Sequence, residues 1–377
     1  MKDMAKKLAK VLVNYSLDVQ ENWRVAINTT PLAEPLIKEI LKEILKAKAH
    51  PKTNIHLDSC TPIFIENAND NQLSYVHETS ILEAKTLDAR VGINATSDTR
   101  LLSKVDTKKI SMFYKSSEEV RDITLKRSAD GDFHWVGTLW PTEAFAKEAG
   151  MSYEDFCSFV YKAGNLHLDD PSVFWKEFEL EQDKLASILN KGKRLRVVSK
   201  DTDLKMEIEG RTWIPCSGKL NFPDGEVFTA PVEGSVEGRV RYKWPTVYQG
   251  VLVQDISLIF KNGEVADASA KIGEEHLLSL IDLDKGAKIP GEVAIGTNYS
   301  IDRHIKNILF DEKIGGTFHM ALGKGYPESG SKNNSALHWD MILDLREEGK
   351  ILLDDQVIQE KGKFTDPNLN FEKIFNK

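Results

Sequence analysis

Ser335-Ala336-Leu337-His338-Trp339-Asp340-Met341-Ile342-Leu343 reads as a β-strand whose two faces differ in chemistry. Side chains alternate from face to face along a strand. Leu337, Trp339, Met341 and Leu343 form one apolar face suited to a core. His338 and Asp340 fall together on the other. An imidazole and a carboxylate spaced i, i+2 can both reach one metal ion, so this strand is expected to pack on a core and to carry ligands.

Three further polar residues stand on apolar or glycine-rich segments upstream. Glu226 lies in Asn221-Phe222-Pro223-Asp224-Gly225-Glu226-Val227-Phe228-Thr229-Ala230-Pro231, a turn leading into a short aromatic strand. Glu292 lies in Pro290-Gly291-Glu292-Val293-Ala294-Ile295-Gly296, and His319 in Gly315-Gly316-Thr317-Phe318-His319-Met320-Ala321-Leu322-Gly323. A charge in such a place pairs, binds metal or faces solvent. Taken singly, a Glu beside Gly is ordinarily a solvated turn residue, and a strand His is ordinarily structural. The His-x-Asp pair is more specific, and the set of five gains force as a group. Oxygen donors with imidazoles suit Zn²⁺, Mn²⁺ or Co²⁺, and the absence of cysteine disfavours a structural zinc site. Two such ions about 3.5–4 Å apart need a bridging carboxylate and can share one activated water. Tyr326, on the loop Gly323-Lys324-Gly325-Tyr326-Pro327, could donate to an oxyanion or simply be a turn tyrosine.

Other chemistries lose support. The same loop lacks the Gly-x-x-x-x-Gly-Lys-Ser/Thr pattern of a phosphate cradle. No His-Glu-x-x-His and no Gly-x-Ser-x-Gly occurs. His56-Leu57-Asp58 and His167-Leu168-Asp169-Asp170 repeat the His-x-Asp spacing, but no carboxylate motif accompanies them and both read as structural. Asp170 reads as a helix N-cap.

A chain of 377 residues, 41% hydrophobic and 29% charged, is globular and too long for one ordinary core, so two domains are expected. A formal net charge of -8 disfavours nucleic-acid binding. Cys60, Cys157 and Cys216 are sparse and form no CxxC pair, which points to reduced thiols and a cytoplasmic location. Met1-Lys2-Asp3-Met4-Ala5-Lys6-Lys7 lacks the apolar core of a signal peptide, and no apolar stretch is long enough for a membrane span.

The first half alternates helix and strand. Met4, Leu8, Val11 and Tyr15 mark one helical stripe, and Leu32, Leu36, Ile40, Leu41 and Ile44 another, opened by Thr30-Pro31. Strands are expected at 23–28, 55–57, 89–94 and 135–140. This rhythm predicts an α/β domain with a mostly parallel sheet over residues 1–191. A helix from Asp170-Pro171 to Asn190 closes it. Residues 192–377 read as an α+β domain dominated by antiparallel strands, with a hairpin turning at Asn262-Gly263.

At these segments the chain resembles the M29 family of metallo-aminopeptidases, of the thermophilic aminopeptidase T type. The resemblance rests on the 222–231 segment, Gly291-Glu292-Val293-Ala294, Leu309-Phe310-Asp311-Glu312, His319-Met320-Ala321-Leu322-Gly323, Tyr326-Pro327 and His338-Trp339-Asp340, with a weaker match at Trp140-Pro141-Thr142-Glu143-Ala144-Phe145. It implies that Glu226, Glu292, His319, His338 and Asp340 bind two divalent ions (Zn, Co or Mn). It further implies that Glu292 and Tyr326 are catalytic. The expected activity is removal of N-terminal residues from short peptides by a two-metal activated water, in a homodimer. The segment between Tyr326 and His338 is shorter than in the family members. Two alternatives stand beside this reading: a non-catalytic metal- or peptide-binding homologue, and a metal-dependent hydrolase of another amide.

Overall fold

Five strands run parallel in the order His50–Ile55, Arg24–Thr29, Ala89–Asn94, His134–Leu139, Asn221–Phe222. The computed structural model describes residues 1–375, and they divide into two compact units. The parallel sheet belongs to the first, Met1–Ser172 with Lys219–Phe222. Its inner strand Arg24–Thr29 is largely apolar and buried, as a parallel strand covered on both faces requires, whereas the edge strand His50–Ile55 is polar and mostly exposed. Val25, Ala26, Ile27 and Val91 are fully buried.

The helix Lys2–Val11 buries Met4 and Leu8, then widens into a π-helical turn, Leu12–Ser16. That turn keeps Tyr15 buried and brings Leu12 and Val13 in beside it. Thr30 accepts a hydrogen bond from Leu32 N at 3.3 Å. A single 3₁₀ turn, Pro31–Ala33, follows before the helix Glu34–Lys46. Leu32 therefore falls outside the helix and is exposed, whereas Leu36, Ile40 and Ile44 pack inward. The strand expected at 55–57 lies at His50–Ile55 instead, and Leu57 is exposed.

The second unit, Val173–Gly218 with Pro223–Lys377, begins earlier than the sequence pattern suggested. The helix Pro171–Leu189 clusters with it for a packing reason. Phe174 and Phe178 meet Phe375, and Phe178 also meets Trp175 and Phe371. Residues 219–222 leave this unit to add a two-residue strand to the parallel sheet beside His134–Leu139.

Two antiparallel sheets build the second unit. One is nine-stranded and contains the hairpin Val251–Lys261 and Glu264–Ile272. Its turn has positive φ at both Asn262 and Gly263, as a two-residue type I′ turn requires. The other sheet has the order His338–Asp344, Thr317–Gly323, Pro290–Gly296, Glu226–Thr229, Ile214–Cys216. Every residue of Thr317–Gly323 and Pro290–Gly296 is buried, so this sheet is covered on both faces. Trp339, on the apolar face of its strand, packs on Tyr248 and donates Nε1–H to Thr246 Oγ1 at 3.2 Å.

Phe178 is fully buried within the aromatic cluster that fixes the long helix. Phe178→Ala should lower unfolding stability by about 3–5 kcal/mol. Chemical denaturation followed by tryptophan fluorescence measures it, and a loss under about 1 kcal/mol would refute the role given to this cluster.

Candidate metal centre

The strand register brings the five expected ligands to one face of the five-stranded sheet. Glu292 stands opposite Ala321, and Ala321 opposite Asp340. His319, two residues before Ala321, stands opposite Ala294 and Ile342. Glu226 is opposite Gly296, and His338 is opposite Gly323. Residues opposite each other share a face, as do residues two apart on one strand. Glu226, Glu292, His319, His338 and Asp340 therefore point the same way. Ala294, Gly296, Ala321 and Gly323 lie among them and leave room between the functional groups.

The approach to Glu226 is fixed from several sides. Gly225 has φ +142°, and a Cβ there would lie 2.4 Å from Asn298 Cβ. Asn298 Nδ2 donates to Asp224 O at 2.8 Å, and Thr297 N donates to Gly225 O at 2.8 Å. From the long helix, buried Gln182 donates Nε2–H to Glu226 O and Thr297 Oγ1, both at 3.0 Å.

Distances among the functional groups are short. His319 Nε2 lies 3.1 Å from Glu226 Oε2 and 3.4 Å from Glu292 Oε1, and only the second approach has hydrogen-bond geometry. His338 Nε2 lies 3.4 Å from Asp340 Oδ2. The other nitrogen of His338, Nδ1, donates to Lys324 O at 2.8 Å. That bond leaves Nε2 free to face an ion, the usual arrangement for a ligating histidine. Glu226, Glu292, His319 and Asp340 are buried, and His338 is partly exposed at the sheet edge.

Tyr326 starts the short turn Pro327–Ser329, with its ring 5.4 Å from Phe228 and 5.6 Å from His338. Burial, then the charges of Glu292 and Asp340, push its phenol above the ordinary range, so it stays protonated and able to donate. The short segment after it is pinned. Ser335 Oγ and Ala336 N donate to Asp284 Oδ2 at 3.0 and 2.8 Å, and Asn333 Nδ2 donates to Gly286 O at 2.9 Å.

The structure adds residues that the sequence pattern did not single out. Cys216 stands opposite Glu226 in the ladder, and with Asp224 the three place donor atoms within 4.8 Å of one another. Glu312 does the same with Glu226 and His319. Lys313 is completely buried, bonded to Glu312 and lying 3.6 Å from Glu226 Oε1 and 3.9 Å from Asp224 Oδ1. Asp224 and Glu312 fall in segments that carry the family resemblance, but the sequence reading gave no site role to them, to Lys313 or to Cys216.

Crowding of carboxylates sets the electrostatics. Burial pushes Glu292 up to about 6, against the pull of His319. Burial also raises Asp224 to about 7 and Glu312 to about 8, each opposed by Lys313. For Glu226 burial is outweighed by Lys313 and His319, which hold it below the usual range. Burial disfavours the charged form of His319, but Glu226 and Glu292 outweigh it and push the imidazole well up. His338 is pushed to about 10, its burial outweighed by Asp340 and Glu292.

This donor set fits a divalent cation. Glu292, His319 and Asp340 place donor atoms within 4.8 Å of one another. Glu226 Oε2, His319 Nδ1 and Asp340 Oδ1 are buried with no hydrogen-bond partner. A cation would satisfy carboxylate oxygens that otherwise crowd one another in a place water does not reach.

A histidine binds metal through a lone pair, so a bound ion must displace the proton from His319 or His338. Metal affinity should therefore rise with pH through neutrality and above it, since Glu226 and Glu292 hold the proton on His319 and Asp340 holds it on His338 well above the ordinary imidazole range. The slope should be up to about tenfold per pH unit for each proton released. Calorimetric titration in buffers of different ionisation enthalpy should show uptake of at least one proton by the buffer per chain at pH 7. An affinity independent of pH would contradict the ligand assignment.

A model of the family described as thermophilic metalloprotease (M29) matches residues 1–364. Aminopeptidase 2 of Geobacillus stearothermophilus is 29% identical over 279 residues, 64% of this chain and 67% of that protein. Aminopeptidase T of Thermus aquaticus is 31% identical over 218 residues, 50% of this chain and 52% of that protein. These matches span about half to two thirds of the relatives' length. The structure of wild-type AmpT from Thermus thermophilus aligns with a TM-score of 0.84 at 21% identity, covering 97% of this chain and 100% of that one, a likeness of fold. From the match over nearly its whole length, the chain belongs to the thermophilic metalloprotease (M29) family.

Proposed function

We propose that this chain is a metal-dependent aminopeptidase that removes N-terminal residues from short peptides. The observation that carries the reading is the convergence of Glu226, Glu292, His319, His338 and Asp340 on one face of a sheet, from segments spread over more than a hundred residues of chain. The relatives named aminopeptidase support the same activity. Homodimer assembly and a cytoplasmic location belong to the same proposal, as the family resemblance and the reduced thiols imply.

Zn²⁺, Co²⁺ or Mn²⁺ held by these donors would lower the pKa of a water and polarise the scissile carbonyl. The residues do the rest. Glu292, buried beside His319, takes the proton of the attacking water and returns it to the departing amine. Tyr326 donates its O–H to the oxygen of the tetrahedral intermediate. The remaining carboxylate charge attracts the free α-amino group, which gives the preference for a peptide's N-terminus. The two-ion expectation has donors enough in Glu226, Glu292, His319, His338 and Asp340.

Two measurements test the roles. Chelator-treated protein should regain hydrolysis of aminoacyl amides on addition of Zn²⁺, Mn²⁺ or Co²⁺, and should leave N-acetylated analogues uncut. Equal cleavage of acetylated substrates would sink the aminopeptidase reading in favour of another amidase. Glu292→Gln and Tyr326→Phe should each lower kcat by about 10²–10³. Near-normal kcat in both variants, with folded protein, would remove them from the chemistry.

A further inference from the structure

Tyr326 is 42% exposed, so the packing of its ring on Phe228 and His338 covers only part of it. The direction of its hydroxyl therefore depends on the backbone that carries it. Between Tyr326 and the strand that begins at His338, the only regular element is the 3₁₀ turn Pro327–Ser329. Segments of this kind are ordinarily mobile. A group that donates to an oxyanion must instead be held to within about 0.5 Å.

Arg211 and Glu233 supply the hold from outside the loop. The Arg211 side chain is only 9% exposed, and a guanidinium so placed needs fixed partners. It forks between two: Nη1 donates to Gly330 O and Nη2 to Glu233 Oε2. The other carboxylate oxygen, Glu233 Oε1, accepts from Lys332 N at 3.0 Å. The ion pair thus grips the backbone on both sides of Ser331. Gly330 takes φ +93°, and a Cβ there would stand 3.1 Å from Arg211 Nη1. Next to Arg211, Thr212 N donates to Ser329 O at 3.2 Å. Ser329 passes the hold on to the tyrosine, donating N–H and Oγ–H to Tyr326 O at 3.0 and 2.7 Å. The clamp is itself anchored to the sheet. Thr229 Oγ1, on the strand of Glu226, donates to Thr212 O at 2.9 Å.

We propose that Arg211, paired with Glu233, is the positioning residue that aims the Tyr326 hydroxyl at the reacting carbonyl. The inference rests on the oxyanion role given to Tyr326. Arg211 touches neither the ligands nor the substrate. It acts through the carbonyl of Gly330 and the 3₁₀ turn, at the opposite end of the loop from Asp284, which holds Ser335 and Ala336.

A double-mutant cycle on the full, metal-loaded chain tests this, read on a fluorogenic aminoacyl amide. Arg211→Met should lower kcat by about tenfold to a hundredfold, as displacement of a catalytic group by about 1 Å does. Its metal content by elemental analysis should equal that of the unmodified chain. Amide hydrogen exchange at Ser329–Lys332 should quicken. In a Tyr326→Phe background the same substitution should lower kcat no further, because the hydroxyl it aims is already gone. Glu233→Ala, at a partly exposed position, repeats the cycle should Arg211→Met fail to fold. A loss that adds in full to that of Tyr326→Phe, or near-normal kcat in a folded Arg211 or Glu233 variant, would overturn the clamp and leave the role of Tyr326 standing. Near-normal kcat in Tyr326→Phe alone would overturn the oxyanion reading and the proposal with it.

Discussion

The antiparallel register that sets Gly296 against Glu226, Ala321 against Glu292 and Asp340, and Gly323 against His338 is the constraint on which the rest of the structure depends. A slip of one residue in any of these strands would send its functional side chain to the opposite face. The sheet's other face is apolar and packed, as Trp339 on Tyr248 shows, so a slipped register would bury charge against a hydrophobic layer. Stability and site geometry are therefore enforced by the same pairing. The small residues opposite the ligands serve both ends, allowing close strands and leaving space for the carboxylates and imidazoles.

Placing so many carboxylates on one buried face carries an electrostatic cost that only cations can offset. Lys313 supplies one positive charge permanently, at the end where Asp224, Glu226 and Glu312 meet. At the other end His319 and His338 hold protons tightly when no metal is present. The supporting shell is built from neutral groups: Gln182 and Asn298 hold the backbone of Asp224 and Glu226, and Lys324 O fixes the His338 ring.

Much of this was legible in the chain. The alternation in 337–343 gave the correct faces, the strand at Ala89–Asn94 fell where the pattern put it, and Asn262-Gly263 marked its hairpin, because each depends on local periodicity or turn chemistry. The parallel first sheet and antiparallel later sheets followed from the same signals. What escaped notice depends on tertiary contact. Leu32 matched a helical stripe, but a 3₁₀ turn precedes the helix and exposes it. The long helix reads as the end of the first half, yet its aromatic residues cluster with the C-terminal segment. Asn221–Phe222 is too short to show a period, although it completes the parallel sheet. Lys313 and Asp224 sit in segments with the composition of surface turns, and only the fold reveals that they are buried. Cys216 stands far from Glu226 in character but opposite it in the ladder.

The central claim is that divalent metal binds on this sheet face, among Glu226, Glu292, His319, His338 and Asp340. Anomalous diffraction at the zinc edge, from crystals grown with Zn²⁺, tests it most directly. The account predicts strong anomalous density about 2.0–2.2 Å from donor atoms of these residues. No strong peak on this face would contradict it.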